Sequence, residues 1–131
     1  MKSLIVEDDF TSRVILQKML LPYGETHIAV NGREAVQAFR QALKHHMPYD
    51  LVCLDIMMPG MDGHEALKRI RKVEEEEGVD GLRGVKIIMT TSVDDPKSII
   101  EAFKSQCEAY LLKPVETAQI KVHLQKFGLV E

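Results

Sequence analysis

The stretch "VCLDIMMPGMDG", Val52 to Gly63, begins as a buried strand and then breaks its own pattern. Apolar residues suited to a sheet run straight into Asp55, and Pro59, Gly60 and Gly63 follow within eight positions. A carboxylate directly after a core strand needs a reason, and the rest of the chain supplies one. Short runs of the same kind recur on either side: "SLIVE" (Ser3–Glu7), the more polar "THIAV" (Thr26–Val30), "VKIIMTT" (Val85–Thr91) and "AYLL" (Ala109–Leu112). Near-continuous hydrophobicity in short strands, separated by helix-period segments, predicts a parallel sheet covered on both faces.

The intervening segments carry helix signals. Asn31 with Glu34, and Asp62 with Glu65, place a capping oxygen three residues ahead of a carboxylate that can reach back. Asp95 can cap a helix whose first position is Pro96, where the missing N–H costs nothing. Apolar residues then recur at helical spacing, as in Val36, Phe39 and Leu43, or Ile120, Leu124 and Phe127. A first helix from about Thr11 to Leu21 stops at Pro22 and Gly24. Five strands alternating with five helices make a single-domain (βα)5 chain of the α/β class, and right-handed crossovers wind it into a doubly wound parallel sheet. Only "EEEEGVDGLRG" (Glu74–Gly84) falls outside this rhythm: four glutamates close the third helix, and three glycines lengthen the loop after it. The like-charged stretch reads as solvated, with a partner-specific contact as the alternative.

The totals narrow the function. The chain has 131 residues, 45% hydrophobic and 28% charged, with a formal net charge of -3. That suits one domain, 1–131, with one core and no output domain. Mild acidity argues against direct nucleic-acid binding, which usually needs a basic face. No apolar run approaches the roughly 20 residues that span a bilayer. The chain enters a strand without a signal-peptide layout, so it reads as cytoplasmic. Cys53 and Cys107 have no metal-ligand spacing and read as ordinary reduced residues.

In a parallel α/β sheet all C-terminal strand ends meet at one edge, where ligands bind. Glu7-Asp8-Asp9, Asp55, Thr91-Ser92 and Lys113-Pro114 stand at four of those ends. Each has an ordinary reading alone: Asp8 and Asp9 as helix caps, Asp55 as a turn residue, Lys113 as a surface lysine. Together they are specific, because four strands each deliver a suitable group to one edge. Several aspartates at close quarters repel one another and call for protonation or a cation. All-oxygen ligands with open water positions suit Mg²⁺, or Mn²⁺ in its place. A lysine and a hydroxyl beside them leave room for a tetrahedral dianion, and a carboxylate there can attack phosphorus to form an aspartyl phosphate.

On "LIVEDDF", "LVCLDIMMPGMDG", "IIMTTS" and "AYLLKP", in this order, the chain resembles the receiver domains of two-component response regulators, chemotaxis receivers among them, over nearly its whole length. The resemblance implies a flavodoxin-like strand order 2-1-3-4-5. It implies Asp55 as phosphoacceptor from a histidine kinase or a histidine phosphotransfer protein. Asp9 and Asp55 would bind Mg²⁺ directly, Asp8 through water, and the backbone carbonyl of Met57 would complete the site. Thr91 and Lys113 would bind phosphoryl oxygens, with Ser92 as the small neighbour and a cis peptide allowed at Pro114. Tyr110 matches an aromatic switch whose ring turns as Thr91 moves, so that helix four, strand five and helix five address a downstream protein.

Met57 and Val93 flank the site's entrance, and two apolar side chains cannot orient an attacking water, which implies slow autodephosphorylation. Met57 also stands where a small aspartyl-phosphate phosphatase would want a second acid, which disfavours an enzyme of that class. A receiver cut from a longer transcription factor is disfavoured by the lack of a basic C-terminal domain. The reading is therefore a stand-alone signalling receiver, not an enzyme, acting on a partner protein or in a phosphorelay.

Overall fold

The computed structural model describes residues 1–79, 83–92 and 95–131. Its elements alternate as the hydrophobic pattern requires: β1 (Lys2–Val6), α1 (Phe10–Leu20), β2 (Glu25–Ala29), α2 (Gly32–Lys44), β3 (Leu51–Asp55), α3 (Gly63–Glu76), β4 (Lys86–Thr91), α4 (Pro96–Lys104), β5 (Ala109–Leu112) and α5 (Thr117–Lys126). A short 3-10 turn at Leu21–Tyr23 ends α1 where Pro22 and Gly24 interrupt it. The five strands form one sheet in the order β2-β1-β3-β4-β5, with every pairing parallel. This is the strand order that the resemblance implies.

Alternation along the strands sorts the core into two layers, one per sheet face. Leu4, Val6, Val52, Leu54, Ile87 and Met89 face one way, against Phe39 of α2, Leu67 and Ile70 of α3 and Ala102 of α4. Ile5, Leu51, Cys53, Ile88 and Leu111 face the other, against Leu16 and Leu20 of α1 and Ile120 and Leu124 of α5. All five residues of β3 are buried, as a central strand covered on both sides must be. Both cysteines are free and buried, and burial pushes each thiol up to about 12.

The caps are made, with changes of detail. Asn31 Oδ1 accepts from Glu34 N at 2.8 Å, while Glu34 reaches back to Val30 N at 3.1 Å rather than to the cap residue. Asp62 Oδ1 accepts from Glu65 N at 2.9 Å, but the Glu65 side chain turns along the helix to Arg69, 2.9 Å away. Asp95 caps α4 through Lys97 N at 3.1 Å, with Pro96 in the first turn.

The acidic stretch corrects the sequence reading. Glu74 lies in the last turns of α3, as expected, but it is 5% exposed rather than solvated. Its Oε1 accepts from Arg71 Nη1 at 2.7 Å and its Oε2 from Val85 N at 2.7 Å. Charge patterning treats a run of glutamates as one solvated face, whereas a helix points successive side chains in different directions. One of the four therefore turns inward, towards the start of β4. Residues 80–82 of that stretch lie outside the described residues.

Candidate functional site

β3 delivers Asp55 as its last residue, in register with Thr90 of β4. The chain must then leave the strand end without covering the carboxylate. Gly60 takes a φ of +77°, which favours glycine, and Gly63 returns so closely that a Cβ on it would stand 2.4 Å from the Asp55 carbonyl oxygen. Gly63 N donates to Ile56 O at 2.9 Å, which starts α3 against the base of the loop. A side chain at position 63 would displace the backbone that carries Asp55. The glycine is thus part of the mount of the carboxylate.

Around Asp55, itself 3% exposed, stand Glu7, Asp8 and Lys113. Glu7, Asp8 and Asp55 each offer a carboxylate oxygen, all within 4.8 Å of one another. Lys113 Nζ donates to Glu7 Oε1 and lies 3.3 Å from Asp55 Oδ1. Two of the three carboxylates, Glu7 and Asp55, therefore share one ammonium. The electrostatic result is clear at Asp55, whose carboxyl is pushed up to about 7 by burial and by the neighbouring Glu7, against the pull of Lys113. Lys113 is shifted upwards: burial pulls it down, and the Glu7 and Asp55 carboxylates outweigh that pull. The peptide bond between Lys113 and Pro114 is cis.

The acids gathered at Asp55 are Glu7 and Asp8, not the pair Asp8 and Asp9 that the resemblance implies. β1 ends at Val6, and one further ladder bond, Glu7 N to Ala29 O at 3.1 Å, carries the strand direction on to Glu7. The Glu7 side chain is thereby aimed into the site, 1% exposed. Asp9 has become the N-cap of α1, its Oδ2 accepting from Ser12 N at 2.9 Å, and that bond holds its carboxyl below the usual range. Its own amide donates to Glu7 Oε2 at 3.2 Å. The family frame slid by one residue because three acids stand where two positions need filling. The signal that resolves it is the spacing from Asp9 to the Ser12 amide, an ordinary N-cap.

Thr91 ends β4, 1% exposed, and its carbonyl accepts from Lys113 N at 2.8 Å. Ser92 follows it on the surface. Met57 exposes 64% of its surface beside the Asp55 strand end. Val93, the other residue read as flanking the entrance, lies outside the described residues. Tyr110 in β5 is half-buried against the α2–α3–α4 core layer, and its hydroxyl donates to Ser98 Oγ at 3.3 Å. Among the described residues no helix is long and apolar enough to cross a membrane.

All the carboxylate donors are hard oxygens, and Glu7 has both of its own engaged, one by Lys113 and one by the Asp9 amide. Asp8, exposed, and Asp55 keep oxygens free to face an ion, which is the donor set of a partly hydrated Mg²⁺ site.

Comparison with known proteins places the fold in a family. Residues 3–125 match the family model described as "Response regulator receiver domain". The chain is 35% identical over 130 residues to the two-component response regulator ORR41 of Oryza sativa subsp. japonica, covering 96% of this chain and 93% of that protein. It is 33% identical over 128 residues to the hybrid signal transduction histidine kinase L of Dictyostelium discoideum, covering 97% of this chain but spanning only 7% of that protein. Among solved structures, the receiver domain of the histidine kinase CKI1 from Arabidopsis thaliana, complexed with Mg²⁺ and BeF3⁻, superposes with a TM-score of 0.83 at 27% identity, over 97% of this chain and 89% of that one. A five-stranded sheet that ends in clustered acids and a lysine is thus found in a chain that belongs to the response regulator receiver domain family of two-component signalling.

Proposed function

We propose that this chain is a receiver that takes a phosphoryl group on Asp55 from a phosphohistidine donor and presents the change to a partner protein or passes the group along a relay. The observation that carries the reading is the Asp55 carboxylate, buried at the end of the central strand among Glu7, Asp8 and Lys113, with its pKa pushed up to about 7. Such a carboxylate is surrounded by more negative charge than the protein neutralises, so a divalent cation and a phosphoryl group complete the site. Mg²⁺, with Mn²⁺ in its place, would be held by Asp8 and Asp55 with the carbonyl of Met57. When bound, it supplies charge neutralisation between the carboxylate and the incoming phosphoryl oxygens.

The residues of the chain do the rest. An Asp55 oxygen forms the new P–O bond as the P–N bond of the phosphohistidine breaks, and the imidazole nitrogen keeps the electron pair and takes a proton from solvent. Glu7 holds Lys113 at the site, from which the ammonium can turn to a phosphoryl oxygen. Thr91 offers its hydroxyl to another, and Ser92 leaves space beside it. The added charge of about -1.5 to -2 biases a two-state element. Moving such an element from 1:99 to 99:1 takes roughly 5.5 kcal/mol of differential stabilisation, which a few charge-assisted bonds and a metal contact can supply.

This chain spans 7% of the hybrid signal transduction histidine kinase L and 12% of the probable histidine kinase 2 of Oryza sativa. Met57, exposed and apolar, cannot orient a water for attack on the acyl phosphate, so the phosphorylated form should last well beyond seconds in Mg²⁺ buffer. Incubation with acetyl phosphate and Mg²⁺ tests the central claim, with an expected mass gain of about 80 Da, the phosphoryl group itself. Uptake by Asp55→Ala equal to that of wild type, or labelling that persists after chelation of the metal, would refute it.

A further inference from the structure

α3 and α4 meet through polar groups at one place, and that place also touches Tyr110. His64, at the start of α3, puts Nε2 2.8 Å from Ser98 Oγ in α4. The Tyr110 hydroxyl in β5 donates to the same Ser98 Oγ at 3.3 Å. Three elements are therefore tied through one serine oxygen. The same face of α4 carries Glu101, whose Oε2 lies 3.9 Å from His64 Nε2 and whose Oε1 pairs with Lys68 Nζ of α3 at 3.1 Å.

The His64 ring is nearly enclosed, its side chain 12% exposed, and Nδ1 is buried with no hydrogen-bond partner among the described residues. An aliphatic side chain would fill that space without burying an unpaired nitrogen. What an imidazole adds is the bond to Ser98. Both hydroxyls are satisfied when Tyr110 donates to Ser98 and Ser98 donates to Nε2, which puts the ring proton on Nδ1. In that arrangement the bonds run in one direction and reinforce each other. The Tyr110 ring cannot then change place without breaking its bond to Ser98, and Ser98 cannot follow it without leaving His64.

We propose that His64 and Ser98 form a latch on Tyr110: they are positioning residues that set the balance between the ring position seen here and the one reached when Asp55 is phosphorylated. The inference rests on the receiver reading above and adds the residues that tune it. It makes α3, the helix that follows the Asp55 loop, a brake on rearrangement of α4 and β5. The exposed Ile100 and Phe103 of α4 and Leu112 of β5 lie on the elements that the latch restrains.

The test uses the whole chain with ring-labelled tyrosine, observed by NMR with and without Mg²⁺ and BeF3⁻ as the phosphoryl probe. Tyr110→Phe assigns the Tyr110 signal among the three tyrosines. Ser98→Ala and His64→Leu should each shift the ring equilibrium about three- to tenfold away from the wild-type position before any probe is added, the range expected for one hydrogen bond. The double variant should shift it no further than the larger single one, because the two residues act through one chain. His64→Gln, which can still bond Ser98, should restore most of the wild-type signal. Tyr110 signals in Ser98→Ala and His64→Leu that coincide with wild type would overturn the latch, as would additive shifts in the double variant. Failure of wild type to bind BeF3⁻ would instead count against the receiver reading, since the ring shift is read without the probe.

Discussion

The two ends of the sheet both bury acids, and they treat them differently. At the end where the strands begin, Glu74 and Glu108 share Arg71, whose guanidinium also donates to the carbonyls of Val85 and Gln106. Backbone amides finish the work, Val85 N on Glu74 at 2.7 Å and Ile87 N on Glu108 at 2.6 Å. Burial raises the Glu108 carboxyl, and the Ile87 amide and Arg71 oppose it. At the end where the strands finish, Glu7, Asp8 and Asp55 have one lysine between them, and Asp55 is lifted to about 7. A fork of five N–H donors locks its partners, whereas a single ammonium leaves carboxylate oxygens facing outward. The first end is a staple and the second a receptacle for charge.

The largest effect should come from breaking the staple. Arg71→Leu leaves Glu74 buried without its cation, and denaturant unfolding should lose about 3–5 kcal/mol. Arg71→Lys should recover only part of this, because an ammonium cannot reproduce the fork. A loss below about 1 kcal/mol would mean the two ends are less different than their geometry.

Asp55 should behave in the opposite sense. An acid whose folded pKa lies above its ordinary 3.8 stabilises the fold while protonated and loses that contribution as pH rises towards about 7. Metal-free wild type should therefore be more stable near pH 5 than near pH 8. Asp55→Asn should flatten that slope and gain about 2 kcal/mol at pH 8, less than the full linkage of about 1.4 kcal/mol per unit because Lys113 loses a partner. Matching pH profiles for the two proteins would remove the electrostatic account of the site.

The smallest effect separates neighbouring aspartates. Mg²⁺ at tenfold its dissociation constant should add about 1.4 kcal/mol of stability to wild type. Asp8→Asn should lose most of that increment. Asp9→Ala should keep it while lowering the melting temperature with and without Mg²⁺ alike, through loss of an N-cap. Thermal melts with and without Mg²⁺ read both, and the reverse pattern would restore Asp9 to the site.

Much of this was legible in the residues. Apolar runs such as "VCLD" and the 3.6 spacing of Val36, Phe39 and Leu43 report burial directly, because only two periodicities put a side chain on a fixed face. That Asp55 and Lys113 would meet was readable because parallel topology sends every strand end to one edge. Other features were not. Whether Asp8 is joined by Glu7 or by Asp9 turns on where β1 leaves the ladder, a matter of one hydrogen bond to Ala29. Glu74 looked like one of four solvated glutamates; Arg71 lies three residues before it on the same helix, but Val85 and Glu108 join the pair from other parts of the chain. The His64–Ser98–Tyr110 chain joins α3, α4 and β5 with no local pattern to announce it.

The sequence by itself determined the fold class, the strand order through the family it resembles, and the edge at which chemistry gathers. Those follow from periodicity and chain direction, which are local and repeated. The tertiary structure alone decided which acids face Asp55, which glutamate is buried and what holds Tyr110. Those depend on the direction in which single side chains leave the backbone, and a shift of one residue reverses it.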